Sequence, residues 1–230
     1  MWQSIKAACI VLCPLATFAY GLEFVGLIKQ VLDNDRLMIL ASGFLTGGIA
    51  WMVLAKKLKF WEVLEHELTH ALIVALCLER VQSLKASDSN GGFIEWEGSR
   101  DNFLVYLAPY FLPSLGVLWL PACVYLPDRC QITALFILGI FLGYHAVSNV
   151  QEFGFHQPDI QQSGKMFSSI FCVASSVTVF GFITAVAASG SWCAGFEFLA
   201  EGWHMIIGWL ENDAATIRDS IFGLSQHSCW

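Results

Sequence analysis

The stretch FWEVLEHELTHALIVALCL, Phe60 to Leu78, decides how this chain is read. Its first half holds Glu62, Glu65, His66, Glu67 and His70, and its second half is apolar throughout. A membrane-spanning helix needs roughly 20 mostly apolar residues, and this segment has about that length. Ionisable side chains are expensive in hydrocarbon, so the polar half must be wrapped by other helices or line a wet cavity.

The rest of the chain fits a membrane setting. Of its 230 residues 56% are hydrophobic and 13% charged, and the mean hydropathy is +0.60. Soluble domains carry about a quarter charged residues. The balance points to a polytopic membrane protein with the lipid bilayer as its surroundings. The net charge of -7 and the lack of a basic block argue against a nucleic-acid partner. Cys9, Cys13, Cys77, Cys123 and Cys172 lie in apolar runs, and Cys130, Cys193 and Cys229 in expected loops. No pair has CxxC spacing, so neither a disulfide framework nor a cysteine zinc site is expected.

Reading for spans gives about six transmembrane helices: Ala7–Ile28, Leu37–Ala55, Phe60–Leu78, Phe103–Leu126, Ile132–Val150 and Phe167–Ser189. The first has a second reading as a signal peptide ending near Ala16-Thr17-Phe18-Ala19. Between the third and fourth spans, Val81–Lys85 and Phe93–Glu97 suit short strands joined by a turn at Asn90-Gly91-Gly92. After the sixth, Glu197, Glu201, His204 and Glu211 form one stripe of an interfacial C-terminal helix, or of a helix packed on the bundle's edge. The expected fold is therefore all-α and polytopic, with one small β-hairpin. It forms a single domain over 1–230: two accessory helices in 1–58, a core in 59–190 and a tail in 191–230. The basic residues divide evenly between the two sides, and only Lys56-Lys57-Leu58-Lys59 tilts the third span's start toward the cytoplasm.

His66-Glu67-Leu68-Thr69-His70 is an HExxH motif. On a helix, positions i and i+4 share a face, so both imidazoles can hold one Zn2+ ion. Glu67 sits slightly round the helix, where it can act as general base on a water whose pKa the zinc lowers to about 7. A catalytic zinc needs a third protein ligand and an open position. The downstream candidates are His145, Glu152, His156 and Asp159. By helix counting, Gln151–Lys165 returns to the membrane face that holds the hairpin, where it can fold back toward His66 and His70. Asp159 follows Pro158 in a loop, and its other reading is a helix N-cap. His145 is a candidate ligand, a hydrogen-bond partner of one, a transition-state donor or a plain core histidine.

HELTHALIVALCLERVQSLK, a Gly-containing hairpin, LAPYFLP and HAVSNVQEFGFHQPDI together resemble the site-2 protease family of intramembrane zinc metalloproteases, in its compact form without a PDZ domain. The likeness covers roughly Trp61 to Phe167. It implies that His66, His70 and Asp159 bind zinc and that Glu67 is the base. It also implies that Asn149 matches the family's asparagine, which holds the substrate backbone or the oxyanion. The usual NxxPxxxLDG pattern is not kept: here Gln157-Pro158-Asp159-Ile160 follows Asn149 at a different spacing.

The expected activity is hydrolysis of a peptide bond in or near a transmembrane segment, the substrate being a membrane protein or peptide. Pro109, Pro113 and Pro121 would kink the fourth span and open a lateral gate. The hairpin edge at Phe93, Ile94, Glu95 and Trp96 would hold an unwound substrate by strand addition. The alternative is a catalytically inactive relative, a membrane scaffold or chaperone with a structural metal site. A small transporter would need polar residues along several helices, and here they concentrate in one helix and one loop.

Overall fold

A computed structural model describes residues 2–87, 91–99 and 101–223, with side chains of the last helix described as far as Glu211. Asn90 of the expected turn and Cys229 lie outside the described residues. In chain order the elements are α1 (Trp2–Lys29), α2 (Asp35–Leu76), β1 (Arg80–Ser87), β2 (Gly91–Glu97) and α3 (Phe103–Leu107). A 3-10 turn at Ala108–Tyr110 follows, then α4 (Ser114–Tyr125), α5 (Asp128–Glu152), α6 (Pro158–Ser163), α7 (Lys165–Ser189) and α8 (Trp192–Gly223).

Four helices are long and apolar enough to cross a membrane: α1, α2, α5 and α7. A fifth span exists if α3 with its 3-10 turn and α4, bent by 70°, are taken together. Large apolar side chains face outward on these helices; Val11, Phe18 and Leu22 of α1 are 65%, 71% and 58% exposed. Such a surface is compatible with lipid surroundings.

The expected count of six is not met, for two physical reasons. The second and third expected spans are one uninterrupted helix, α2, of 42 residues. Lys56, Lys57 and Lys59 suggest a boundary, yet lysine is a good helix former, and no Gly or Pro stands between Gly48 and Gly91. A straight helix of that length runs about 63 Å, twice the hydrocarbon core, so charge within it does not need a break. The division expected at residue 58 thus falls inside α2. The fourth expected span is interrupted at Phe111–Pro113, where Pro109 and Pro113 withhold backbone donors. Pro121 sits inside α4 without ending it.

The bundle is closed by backbone contacts between α2 and α5. Gly43 of α2 lies on Phe136 and Gly139 of α5, Gly47 on Ile140, and Gly143 of α5 on Phe44 and Gly48. Glycines spaced by four bring two helix backbones together with no side chain between them. At the other end Arg36 donates to the carbonyls of Ala187 (2.8 Å) and Cys123 (3.1 Å) and to Gln131, tying α2 to α7, α4 and α5. Helix α1 packs on α7 and α8, burying Cys13, Ala19 and Tyr20, so it belongs to the bundle. Helix α8 lies on the same edge, with Phe198 and Ile206 inward and Glu197, Glu201, His204 and Glu211 exposed.

The hairpin forms where expected, slightly longer than read, with Leu84 opposite Ile94 and a bulge between Val81 and Ser83. A Schellman motif turns the chain from α2 into β1: Glu79 N–H donates to Val74 O and Leu78 N–H to Ala75 O, both at 3.0 Å. Leu78 takes the left-handed position (φ 59°) that glycine usually fills. The turn folds the hairpin back over the second half of α2 and so roofs the HExxH segment.

Candidate metal centre

The HExxH residues lie on α2 where β2 and the α5–α6 segment converge. His66 and His70 are one helical turn apart with ring centroids 4.9 Å from each other. Their Nε2 atoms stand 3.7 and 3.5 Å from the same oxygen, Oδ2 of Asp159. Tetrahedral zinc at ordinary bond lengths puts neighbouring donor atoms about 3.3 Å apart. Two imidazoles and one carboxylate are thus gathered with nearly the spacing an ion requires. His66, His70 and Asp159 form the one such group among the described residues.

Asp159 arrives there through backbone geometry. Helix α5 ends at Glu152, the chain turns through 153–157, and Pro158 starts α6 with its fixed φ at the first helical position. Gln157 is the N-cap of that helix, and Asp159 makes no cap of its own, so the cap reading does not describe it. Its carboxylate turns toward the imidazoles. Burial favours its protonated form, but hydrogen bonding and charge from His66 and His70 outweigh that and hold Asp159 well below the usual carboxylate range.

The Nδ1 atoms face away from the shared oxygen, each toward an acceptor. His70 Nδ1 lies 2.6 Å from the carbonyl of Val105, which fixes its proton there and leaves Nε2 with a free lone pair. His66 Nδ1 lies 3.5 Å from Glu152 Oε2. The backing that Val105 gives His70 is usual for imidazoles that bind metals. No feature of the sequence signals Val105, because its contribution is a backbone carbonyl freed near the broken fourth span.

The three groups open on a cavity of about 470 Å³, lined also by Glu67, Gly92, Phe93, Ile94 and Trp96. Glu67 is buried and pressed against Gly92, where a Cβ would collide with its carboxylate. Of the four expected hairpin residues, Phe93, Ile94 and Trp96 line this cavity. Glu95 instead accepts from Ser83 across the strands.

The structure does not bring His145 or Asn149 to the imidazole pair. Both line a separate cavity of about 500 Å³ between α5 and α7, which Tyr110 also lines; the Tyr110 ring meets His66 at 5.4 Å. His145 is buried there with no hydrogen-bond partner for Nε2. The Asn149 amide donates to the carbonyl of Tyr110 and so is committed to holding the broken span in place. His156 is exposed. Another cavity, of about 800 Å³, is a mostly apolar space along α2, α4 and α5, where Glu65 meets Ser114 and Thr69.

No family model, curated protein or solved structure matches this chain.

Proposed function

We propose that this chain is a multi-pass membrane zinc metalloprotease of the site-2 protease kind, hydrolysing a peptide bond in or near a transmembrane segment. The observation that carries the proposal is the meeting of His66, His70 and Asp159 at one point, although 88 residues lie between the second and the third. The donor set suits the ion: two imidazoles and a carboxylate are ligands that catalytic zinc takes, and three protein ligands leave a position open. Zinc held there supplies a Lewis acid and lowers the pKa of water toward neutrality.

The protein's own groups do the rest. His66 and His70 would present Nε2 to the ion, with His70 held in that tautomer by Val105. Glu67 takes a proton from the attacking water as its oxygen bonds to the scissile carbonyl carbon. It returns the proton to the nitrogen as the carbon–nitrogen bond breaks. Phe93, Ile94 and Trp96 border the space where an extended substrate would lie, and the two-stranded sheet leaves an edge for strand addition. The break at Pro109 and Pro113 offers a side entrance.

A structural zinc site, as in a scaffold or chaperone, has four protein ligands. Only three groups converge among the described residues, which favours catalysis over that alternative. The test is purified Glu67→Gln beside His66→Ala, assayed for zinc per chain and for cleavage of a transmembrane reporter peptide. Glu67→Gln keeps zinc and loses turnover by about 10²-fold or more; His66→Ala loses both. Normal turnover in Glu67→Gln contradicts the mechanism.

A further inference from the structure

Glu152 is placed at odds with its own helix. It is the last residue of α5, with no basic residue in that final turn, so its charge meets the negative end of the helix dipole. Its two oxygens are divided between two partners. Oε1 accepts from Lys59 Nζ at 2.9 Å, and Oε2 faces His66 Nδ1 at 3.5 Å. Lys59 is itself fixed by Glu62 at 2.7 Å, one turn along α2. The pair sits beside the metal cavity, which both residues line. An exposed ion pair stabilises a protein by little, about 0–1 kcal/mol, so a Lys59–Glu152 contact alone does not explain an acidic residue at this helix end.

We propose that Glu152 is the positioning residue of His66. Its carboxylate accepts a hydrogen bond from Nδ1–H, which fixes the ring as the tautomer whose Nε2 lone pair faces Asp159. Lys59 holds the carboxylate in place and offsets its charge. The proposal rests on the metal reading given above and names what that reading leaves open, the group that backs His66 as Val105 backs His70. Glu152 is not a fourth ligand, because it approaches the ring nitrogen on the side away from Asp159. One side chain thereby does two things: it orients His66, and it pins the end of α5 from which the chain turns to deliver Asp159.

The experiment uses the full chain in detergent with Co2+ as probe, comparing wild type, Glu152→Gln, Glu152→Leu and Asp159→Ala. Affinity is read by chelator competition, and the His66 tautomer of the metal-free protein by ¹⁵N NMR at a pH high enough for the imidazole, flanked by two carboxylates, to be neutral. Glutamine keeps an acceptor but not the charge; leucine keeps neither. Affinity is expected to fall about tenfold for Glu152→Gln and about 100-fold for Glu152→Leu, the range for lost outer partners. The Nδ1-protonated form, dominant in wild type, becomes a mixture in Glu152→Leu. A purely structural role for Glu152 leaves the tautomer unchanged. Equal affinity in all three Glu152 forms, an unchanged tautomer, or a loss in Glu152→Gln as deep as in Asp159→Ala overturns the proposal. A wild type that binds no Co2+ overturns the metal reading itself, and the tautomer readout still reports on Glu152 separately.

Discussion

Replacing Gly92 by alanine tests how the hairpin governs the general base. Gly92 is not among the glycines with positive φ, so its backbone accepts alanine. A Cβ there lies 2.5 Å from both Cγ and Oε1 of Glu67. Carbon contacts are comfortable at about 3.5 Å, so the carboxylate must withdraw by about 1 Å. Glu67 is flexible and can swing, so the fold is unharmed; loss of glycine's chain entropy favours the folded state by up to about 1 kcal/mol. Catalysis is less tolerant. A misplacement of about 1 Å at a reacting group can cost about 10²-fold in rate. The expected result is turnover of a transmembrane reporter lowered about 10²-fold, with zinc content and melting temperature held. Wild-type turnover would refute the reasoning. So would zinc lost in parallel with turnover, since the hairpin would then be holding the ligands and not the base.

Leu78→Gly is expected to stabilise the protein by about 1 kcal/mol, because glycine takes the left-handed position of the Schellman turn without the penalty leucine bears. Thermal unfolding in detergent reads this as a raised midpoint; a lowered one contradicts it. Gly47→Leu drives a side chain into the backbone of Ile140 and is expected to cost about 3 kcal/mol or more. An unchanged midpoint would mean that the α2–α5 contact is not what closes the bundle.

The histidine pair was legible because it is local: an i, i+4 spacing on a helix needs no tertiary knowledge. Topology brings the segment 151–165 back to the pair whatever the helix count, but the choice of Asp159 over Glu152 and His156 within it rests on the family resemblance. The fusion of the second and third expected spans lies upstream of the pair. Whether 151–165 returns to His66 depends only on the broken fourth span and on α5. The fusion has no signal in the lysines, which mark charge and not a boundary; helix termination depends on breakers and caps. His145 is a candidate by its place just ahead of the Asp159 segment, and Asn149 only by the family resemblance. In space, Asn149 is spent on the carbonyl of Tyr110, and His145 lines a different cavity. The glycine contacts between α2 and α5 had a signal, Gly43 and Gly47 facing Gly139 and Gly143, that a search for apolar length passes over. Val105 had none.

Zinc per chain in the purified wild type and in Asp159→Ala is the most direct measurement. The account predicts one ion per wild-type chain. In Asp159→Ala the affinity should drop by more than the roughly 10–100-fold that outer partners account for. A wild type without metal, or an Asp159→Ala protein that holds zinc as tightly as wild type, would contradict it.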